Sequence, residues 1–263
     1  MRKHMRLYRQ FLMQYVKSLI EYRTDFIFGL VGFVLVQLTG VIFIQLIFSS
    51  IPTLDGWRFD EVLFIYGLAQ IPRGIDHVLT DNLWILSGRI ILEGGFDKYL
   101  LRPLNPLFQL IAERFQPDGF GEIIIGSILM LTAWGRLGIQ LTLGKALILL
   151  STILFATLIY TAIKLAVASI SFWIKFAQSY LYMTYQLSTF TKYPLSIYPK
   201  AIKFILTFII PFAFTGYFPG AYFLGKEDFM NGIVLTHVVA VVSILVAYFI
   251  WLQGLKKYES SGS

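Results

Sequence analysis

The sequence predicts an all-α polytopic membrane protein, with about six transmembrane helices and one amphipathic helix on the membrane surface. Hydrophobic residues make up 57% of the 263 residues and charged residues only 14%. A soluble domain of this composition would leave too much apolar surface in water. Long apolar runs recur along the chain, and Lys and Arg gather between alternate runs. We therefore treat residues 1–263 as a single transmembrane domain.

Residues 1–25 form the first predicted element. Leu7, Phe11 and Tyr15 recur at helical spacing among basic residues such as Arg6 and Arg9, a pattern typical of an amphipathic helix lying on a membrane. A solvated basic arm is the alternative. The continuous apolar stripe over several turns favours the helix.

Six apolar segments follow, and each is a predicted membrane-spanning helix, because backbone groups that face lipid must form their hydrogen bonds within their own segment. The residues do not alternate with the period of two that a membrane barrel requires. The first segment is too long for the core of a signal peptide, so we expect it to be retained. The segments are Phe26–Phe48, Val62–Leu83, Phe120–Trp134, Leu143–Trp173, Ala201–Leu224 and Gly232–Leu252.

The distribution of Lys and Arg predicts that both termini lie in the cytoplasm. In that orientation sixteen basic residues fall on the cytoplasmic side and four on the outer side. A net charge of +7 is then expected to meet lipid headgroups rather than nucleic acid, because the basic residues lie between long apolar runs. The four outer residues are Arg58, Arg136, Lys145 and Lys226.

Two long connections are placed in the cytoplasm. Residues 87–119 contain a Gly94-Gly95 turn, a short helix that ends before Pro103 and a second amphipathic helix, an arrangement suited to docking on a cytosolic partner. Residues 175–200 are expected at the membrane interface, because Tyr favours the headgroup region. The tyrosines of this connection are Tyr180, Tyr182, Tyr185, Tyr193 and Tyr198.

The second apolar segment carries polar residues at spacings of three and four, which place them on one face of its helix. Each ionised group near the bilayer centre would cost about 2.5 to 3.5 kcal/mol, so this face should meet protein or water rather than lipid. It is either the polar wall of a translocation path or a structural site held by an Arg73–Asp76 ion pair. The residues are Gln70, Arg73, Asp76, His77, Thr80 and Asp81.

Two further features interrupt the apolar pattern. Lys164 lies late in the fourth segment, where its long side chain is expected to reach the cytoplasmic headgroups, with contact to a substrate as the alternative. Residues 211–220 contain Pro211, Gly216, Pro219 and Gly220. They predict a broken or re-entrant end of the fifth segment, with an ordinary kinked helix end as the alternative.

The sequence contains no arrangement for catalysis or metal binding. Cysteine is absent, and His4, His77 and His237 are scattered. Residues 220–226 match the phosphate-loop pattern G-x-x-x-x-G-K, but Glu227 replaces the Ser or Thr that holds magnesium and no strand precedes the match. We therefore expect this chain to hydrolyse no ATP by itself and to hold no metal or cofactor of its own.

Three stretches resemble a family of bacterial ABC-2-type permeases, single-domain membrane subunits that pair with a separately encoded ATPase. Together with the predicted spans, the likeness extends over essentially the whole chain. The stretches are Gly95-Phe96-Asp97 with Leu101-Arg102-Pro103-Leu104, Ile210-Pro211-Phe212-Ala213-Phe214 with Pro219, and residues 254–263.

The resemblance implies a dimer of two permeases, identical or related, on two ABC ATPase subunits that bind ATP and Mg. It also implies residence in the bacterial plasma membrane and outward transport of a small amphipathic or cationic compound, such as a drug, a peptide or a lipid-like molecule. Asp76 and Asp81 would suit a cationic or amphipathic cargo. The connection between the second and third spans would couple to the ATPase through Phe96, Asp97, Tyr99, Leu101, Arg102 and Pro103.

Two other functions remain open at this point. An ion-coupled secondary transporter would use the charges inside the membrane, but the inverted repeats and paired broken helices of such proteins are not found. An intramembrane lipid-modifying enzyme would need catalytic groups at one depth, and the candidates Asp76, His77 and Asp81 all lie on one helix. An ATPase encoded beside this chain would favour the exporter.

Overall fold

The computed structural model describes residues 23–259, and over that range the chain is helical with no strand. This confirms the predicted all-α class for the described residues. The predicted interfacial helix over residues 1–25 lies outside the described range, apart from its last three residues.

Twelve α-helices lie within the described residues, several of them joined or continued by short segments of 3-10 or π helix. In chain order the α-helices are α1 (Arg23–Ser50), α2 (Phe59–Thr80), α3 (Asn82–Ile85), α4 (Asp97–Leu100), α5 (Pro106–Glu113), α6 (Gly119–Leu137), α7 (Leu143–Ser169), α8 (Ser171–Ile174), α9 (Gln178–Leu187), α10 (Lys200–Phe204), α11 (Tyr217–Phe223) and α12 (Leu235–Lys257). The 3-10 segments are Ser188–Lys192, Leu195–Ile197 and Phe212–Thr215, and the π segments are Leu86–Ile90, Ile205–Ile209 and Met230–Val234.

Three stretches of the described chain are long and apolar enough to cross a membrane: Gly119–Leu137, Leu143–Ile174 and Met230–Lys257. They coincide with the third, fourth and sixth predicted segments, and the protein is accordingly a membrane protein. The third segment is longer than predicted, because α6 continues to a C-cap at Gly138, whose φ of 64° is one that glycine adopts readily. The total of six crossings stays a prediction.

Helices α2 and α6 approach each other closely through glycines. A Cβ added at Gly67 would lie 2.7 Å from the carbonyl oxygen of Gly126, and one added at Gly74 would lie 2.8 Å from that of Gly119. Only glycine allows the two backbones to come this near. Such small residues are typical of helix pairs in membranes, where close van der Waals packing replaces the hydrophobic effect.

Residues 177–226 run antiparallel to α2 along its whole length. Ala177 donates its backbone N–H to the carbonyl of Ser87 at 2.7 Å, beyond the C-terminal end of α2. Lys226 donates to the carbonyl of Gly56 at 3.0 Å, just before α2 begins. Between these points Gly216 packs against Ala69, where a Cβ on residue 216 would lie 2.6 Å from the Cβ of Ala69.

This stretch contains the predicted interruption. The π segment ends at Ile209, and the next residue, Ile210, has a ψ of 86°, which is not helical. The chain then passes through Pro211 into a 3-10 turn and α11. Proline lacks the N–H that a continuing helix needs, and it disfavours the α conformation in the residue before it. The fifth predicted segment is therefore a sequence of short helices within the described chain.

The interfacial position expected for the tyrosines of residues 175–200 is wrong for Tyr185. Tyr180 and Tyr182 are exposed, whereas Tyr185 is buried together with Ser188 and Thr191. Tyr185 donates its hydroxyl to Asp76 of α2 instead of facing lipid headgroups. Ser188 and Thr191 donate their hydroxyls to the carbonyls of Tyr185 and Ser188, within their own stretch.

Substitution of Gly126 by alanine is expected to lower the free energy of unfolding by about 1–3 kcal/mol, because the added methyl group would overpack the α2–α6 contact. Gly135 lies on the same helix with nothing within 4 Å of an added Cβ, so Gly135→Ala serves as the matched control. Alanine should be neutral or slightly stabilising there. Thermal unfolding in detergent micelles measures both variants, and equal effects would contradict the packing described.

Candidate functional site

The polar stripe of α2 faces the interior of the helix bundle. Gln70 and Asp76 are buried. The side chains of Arg73, His77 and Asp81 retain 21%, 29% and 15% of their exposure. The expectation that this face meets protein or water rather than lipid is consistent with these positions.

Asp76 is the centre of the stripe, and three helices supply its partners. The Nζ of Lys164, from α7, lies 2.7 Å from Oδ2, and both side chains have 0% exposure. Thr80 and Thr161 donate their hydroxyls to Oδ1 at 2.6 and 2.9 Å. Tyr185 of α9 donates its hydroxyl to Oδ2. The carboxylate therefore joins α2, α7 and α9 at one point.

The expectation that Lys164 reaches the cytoplasmic headgroups is wrong. Its ammonium is fully buried in the ion pair with Asp76 and also donates to Thr80 Oγ1 at 3.2 Å. A buried carboxylate within reach compensates the charge inside the bundle, so the side chain has no reason to extend to the membrane surface.

The predicted Arg73–Asp76 ion pair is also absent from the described residues, because each residue has a different partner. Arg73 Nε lies 3.5 Å from Oε2 of Glu122, on α6. His77 lies between two carboxylates, with Nδ1 3.4 Å from Glu122 Oε1 and Nε2 3.7 Å from Asp81 Oδ1. The stripe thus forms two charge clusters, one with α7 and one with α6.

Glu122 was missed as a site residue by sequence reasoning. It is the one ionisable residue in the apolar run Phe120–Trp134, and its side chain is only 4% exposed. A lone carboxylate at the start of an apolar segment requires a buried partner. That signal was available in the sequence. The candidate partners were Arg73 and Lys164, the two cations of the apolar segments that are assigned to neither side of the membrane.

A second candidate region comprises the residues expected to couple to an ATPase. Phe96 and Tyr99 are buried, whereas Leu101 is 85% exposed and Arg102 and Pro103 are exposed as well. The six predicted coupling residues therefore divide into a buried part and an exposed part. We call Leu101, Arg102 and Pro103 the exposed tip.

The exposed tip stands on an aromatic cluster formed by Phe96, Phe172, Trp251 and Tyr258. The ring centre of Phe96 lies 5.2, 6.0 and 5.0 Å from those of Phe172, Trp251 and Tyr258. Edge-to-face contacts at these distances are favourable. Because Phe172 belongs to α8 and Trp251 to α12, the cluster connects the tip to two helices that pack within the bundle.

Hydrogen bonds hold the base of the tip in place. Tyr258 donates its hydroxyl to Asp97 at 2.9 Å, and burial followed by the nearby Asp97 carboxylate raises the pKa of Tyr258 to about 12. The hydroxyl therefore remains a donor at neutral pH. Gln109 of α5 donates to the carbonyls of Tyr99 and Leu104 at 3.0 and 2.9 Å. Tyr99 and Lys98 both bind Glu113.

Among residues 23–259, no group of three or more His, Asp and Glu residues lies close enough together to hold a metal ion. Gly220, in the rejected G-x-x-x-x-G-K match, lies in helix α11. Lys226 is engaged by Glu61 at 2.8 Å and lies 4.0 Å from the ring centre of Trp57.

A family model described as ABC-2 family transporter protein matches residues 34–262. The matched range contains the polar stripe of α2, the exposed tip and the aromatic cluster. Comparisons with curated proteins and with solved structures give no match.

Breaking the Asp76–Lys164 pair from one side is expected to lower the free energy of unfolding by about 3–5 kcal/mol, because the remaining partner is left as an uncompensated buried charge. This applies to Asp76→Asn and to Lys164→Met. The double variant should lose less free energy of unfolding than the two single variants together, because it removes both charges. Thermal unfolding in detergent of the four proteins completes the double-mutant cycle.

Arg89→Gln is the control for this cycle. Arg89 and Glu93 form an ion pair at 2.7 Å, but their side chains are 74% and 56% exposed, and such pairs contribute little. The buried pair would be contradicted if Asp76→Asn and Lys164→Met each lowered the free energy of unfolding no more than Arg89→Gln does, and if their effects simply added in the double variant.

Proposed function

This chain belongs to the ABC-2 family of transporter proteins, and from that premise we propose that it is the membrane subunit of an ATP-driven exporter in the bacterial plasma membrane. Members of the family are membrane transport subunits and not themselves ATPases, and they work with ABC ATPase partners. In the proposal two ATPase subunits bind ATP and Mg. A second permease, identical or related, completes the transporter.

The exposed tip is the observation that supports this proposal most. Leu101, at 85%, is the most exposed of the large hydrophobic residues described, and with the exposed Arg102 and Pro103 it lies in the connection predicted to be cytoplasmic, where lipid does not cover it. The aromatic cluster beneath the tip gives a rigid connection into the bundle. We therefore assign Leu101, Arg102 and Pro103 to contact with the ATPase, and Phe96, Asp97 and Tyr99 to holding the tip.

In the proposed mechanism, closure of the two ATPases on ATP pushes on the tip. Phe96 contacts Phe172 and Trp251 directly, so a displaced tip shifts α8 and α12. Rigid-body rocking of these helices would alternate access to a path at the dimer centre. The chain would cross the membrane six times with both termini in the cytoplasm, through α1, α2, α6, α7, residues 177–226 and α12. In this proposal the fifth crossing begins earlier than the predicted Ala201 and includes Lys192, which lies beside Tyr66 of α2.

The polar stripe of α2, with Gln70, Arg73, Asp76, His77 and Asp81, remains the candidate wall of that path. From the sequence, the aspartates of this stripe suit a cationic or amphipathic cargo. Asp76 is engaged by four donors, so its carboxylate is not free for a cationic ligand in this conformation. We therefore propose a small amphipathic cargo and take up its charge below.

The proposal predicts that the chain copurifies from membranes with the ATPase encoded beside it, and that Leu101→Asp reduces the ATPase recovered by about tenfold. Loss of one central interface contact that contributes about 1–2 kcal/mol to binding weakens binding by roughly this factor. Because residue 101 is exposed, the variant should keep the unfolding temperature of the unaltered protein. Quantitative blotting of both subunits after affinity purification measures the ratio.

Leu141→Asp is the matched control. Leu141 is also an exposed leucine, at 66%, and it lies between α6 and α7 on the predicted outer side, where no ATPase binds. Equal recovery from Leu101→Asp and the unaltered protein would show that the tip is not the docking site. Failure of any ATPase to copurify would contradict the ATP-driven function itself.

A further inference from the structure

A cavity of about 290 Å³ lies between α1 and the chain that runs along α2. Val36 and Gly40 of α1 line one side and Tyr66 of α2 another, and Lys192, Tyr193 and Tyr198 complete the wall. The cavity therefore combines an apolar side, several aromatic rings and a single cation. It lies apart from Asp76 and its partners.

Lys192 has no carboxylate partner among the described residues. Its ammonium lies 5.0 Å from the centre of the Tyr66 ring, and no described Asp or Glu oxygen comes within 4.0 Å. The charges of Arg73 and Glu122 act on Lys192, but these two side chains form an ion pair with each other at 3.5 Å. An ammonium inside a membrane bundle normally has an anionic partner, because an unpaired charge is costly there.

Three other hydroxyls of the cavity wall donate their protons to acceptors of the protein. Tyr66 donates to Gln37 at 2.8 Å, Tyr198 to the carbonyl of Phe190 at 3.0 Å and Thr189 to the carbonyl of Gln186 at 2.7 Å. The hydroxyl of Tyr193, next to Lys192, forms no hydrogen bond with the described residues. Lys192 and Tyr193 are thus the two donors of the wall without an acceptor among the described residues. Gln37 and the carbonyl of Phe190 already accept from Tyr66 and Tyr198.

We propose that this cavity binds the acidic headgroup of an anionic amphiphile, such as a carboxylate, phosphate or sulfate that carries an apolar tail. The headgroup accepts from Lys192 and Tyr193, and the tail lies along the apolar side formed by α1. The inference rests on the proposed function, because it identifies the bound amphiphile as cargo or as a lipid in the transport path. It reverses the charge preference that the aspartates of α2 suggested.

The test uses the purified full-length protein in nanodiscs of phosphatidylcholine, without ATPase. Dansyl-undecanoate and its uncharged methyl ester are titrated, and the dansyl fluorescence reports binding. We expect the acid to bind about tenfold more tightly than the ester, as a charge-assisted hydrogen bond provides. Lys192→Gln should abolish this preference, and Lys192→Arg should retain it. Tyr193→Phe should reduce it roughly threefold.

Lys200→Gln is the control, because Lys200 is an exposed lysine outside the cavity, and it should leave the preference unchanged. Equal binding of acid and ester by the unaltered protein would overturn the proposal, as would an unchanged preference in Lys192→Gln. If Lys192→Gln does not fold, Tyr193→Phe takes its place, and an unchanged preference for the acid in that variant would overturn the proposal. Since no ATPase is present, a negative result here leaves the ATP-driven function standing.

Adding phosphatidylglycerol to the nanodiscs distinguishes the two sources of the headgroup. Displacement of dansyl-undecanoate by phosphatidylglycerol supports the proposal with a bilayer lipid as the ordinary occupant. Retention of the probe supports it with a free acidic amphiphile as the occupant.

Discussion

The buried ion pair between Asp76 and Lys164 is the interaction on which the rest of the bundle depends. An aspartate or a lysine alone at this position would carry a charge that the membrane cannot solvate. Together, at 2.7 Å and with 0% exposure, they compensate each other, and two threonines and a tyrosine complete the aspartate's hydrogen bonds. Because these groups come from α2, α7 and α9, their contact fixes how the three elements are arranged.

Residues 177–226 connect this ion pair to the rest of the bundle. They supply Tyr185 to Asp76, and they close the bundle along α2, where Gly216 meets Ala69. The same stretch supplies Lys192 and Tyr193 to the cavity beside α1. The exposed tip at residues 101–103 is connected to α8 and α12 through the ring contacts of Phe96.

Much of this arrangement follows from sequence, and the remainder depends on pairing between distant helices. Apolar length predicts α6, α7 and α12, and the spacing of Arg73, Asp76 and His77 predicts a polar face turned from lipid. The partners could not be predicted, since Glu122 lies 45 positions from His77 and Tyr185 lies 109 positions from Asp76. Local rules favoured an extended Lys164, and they were overridden by a carboxylate on another helix. The exposure of Leu101 against the burial of Phe96 likewise depends on packing with α8 and α12.

The most direct test of this account measures the distance between Lys164 and Asp76 in a lipid bilayer. Lysine labelled with ¹⁵N at Nζ and aspartate labelled with ¹³C at Cγ can be incorporated together and examined by dipolar-recoupling solid-state NMR. The account predicts strong dipolar dephasing between the two labels, as expected for an ion pair, and its loss in Lys164→Met. Dephasing that is absent in the unaltered protein, or unchanged in that variant, would contradict the pair and the arrangement of helices built on it.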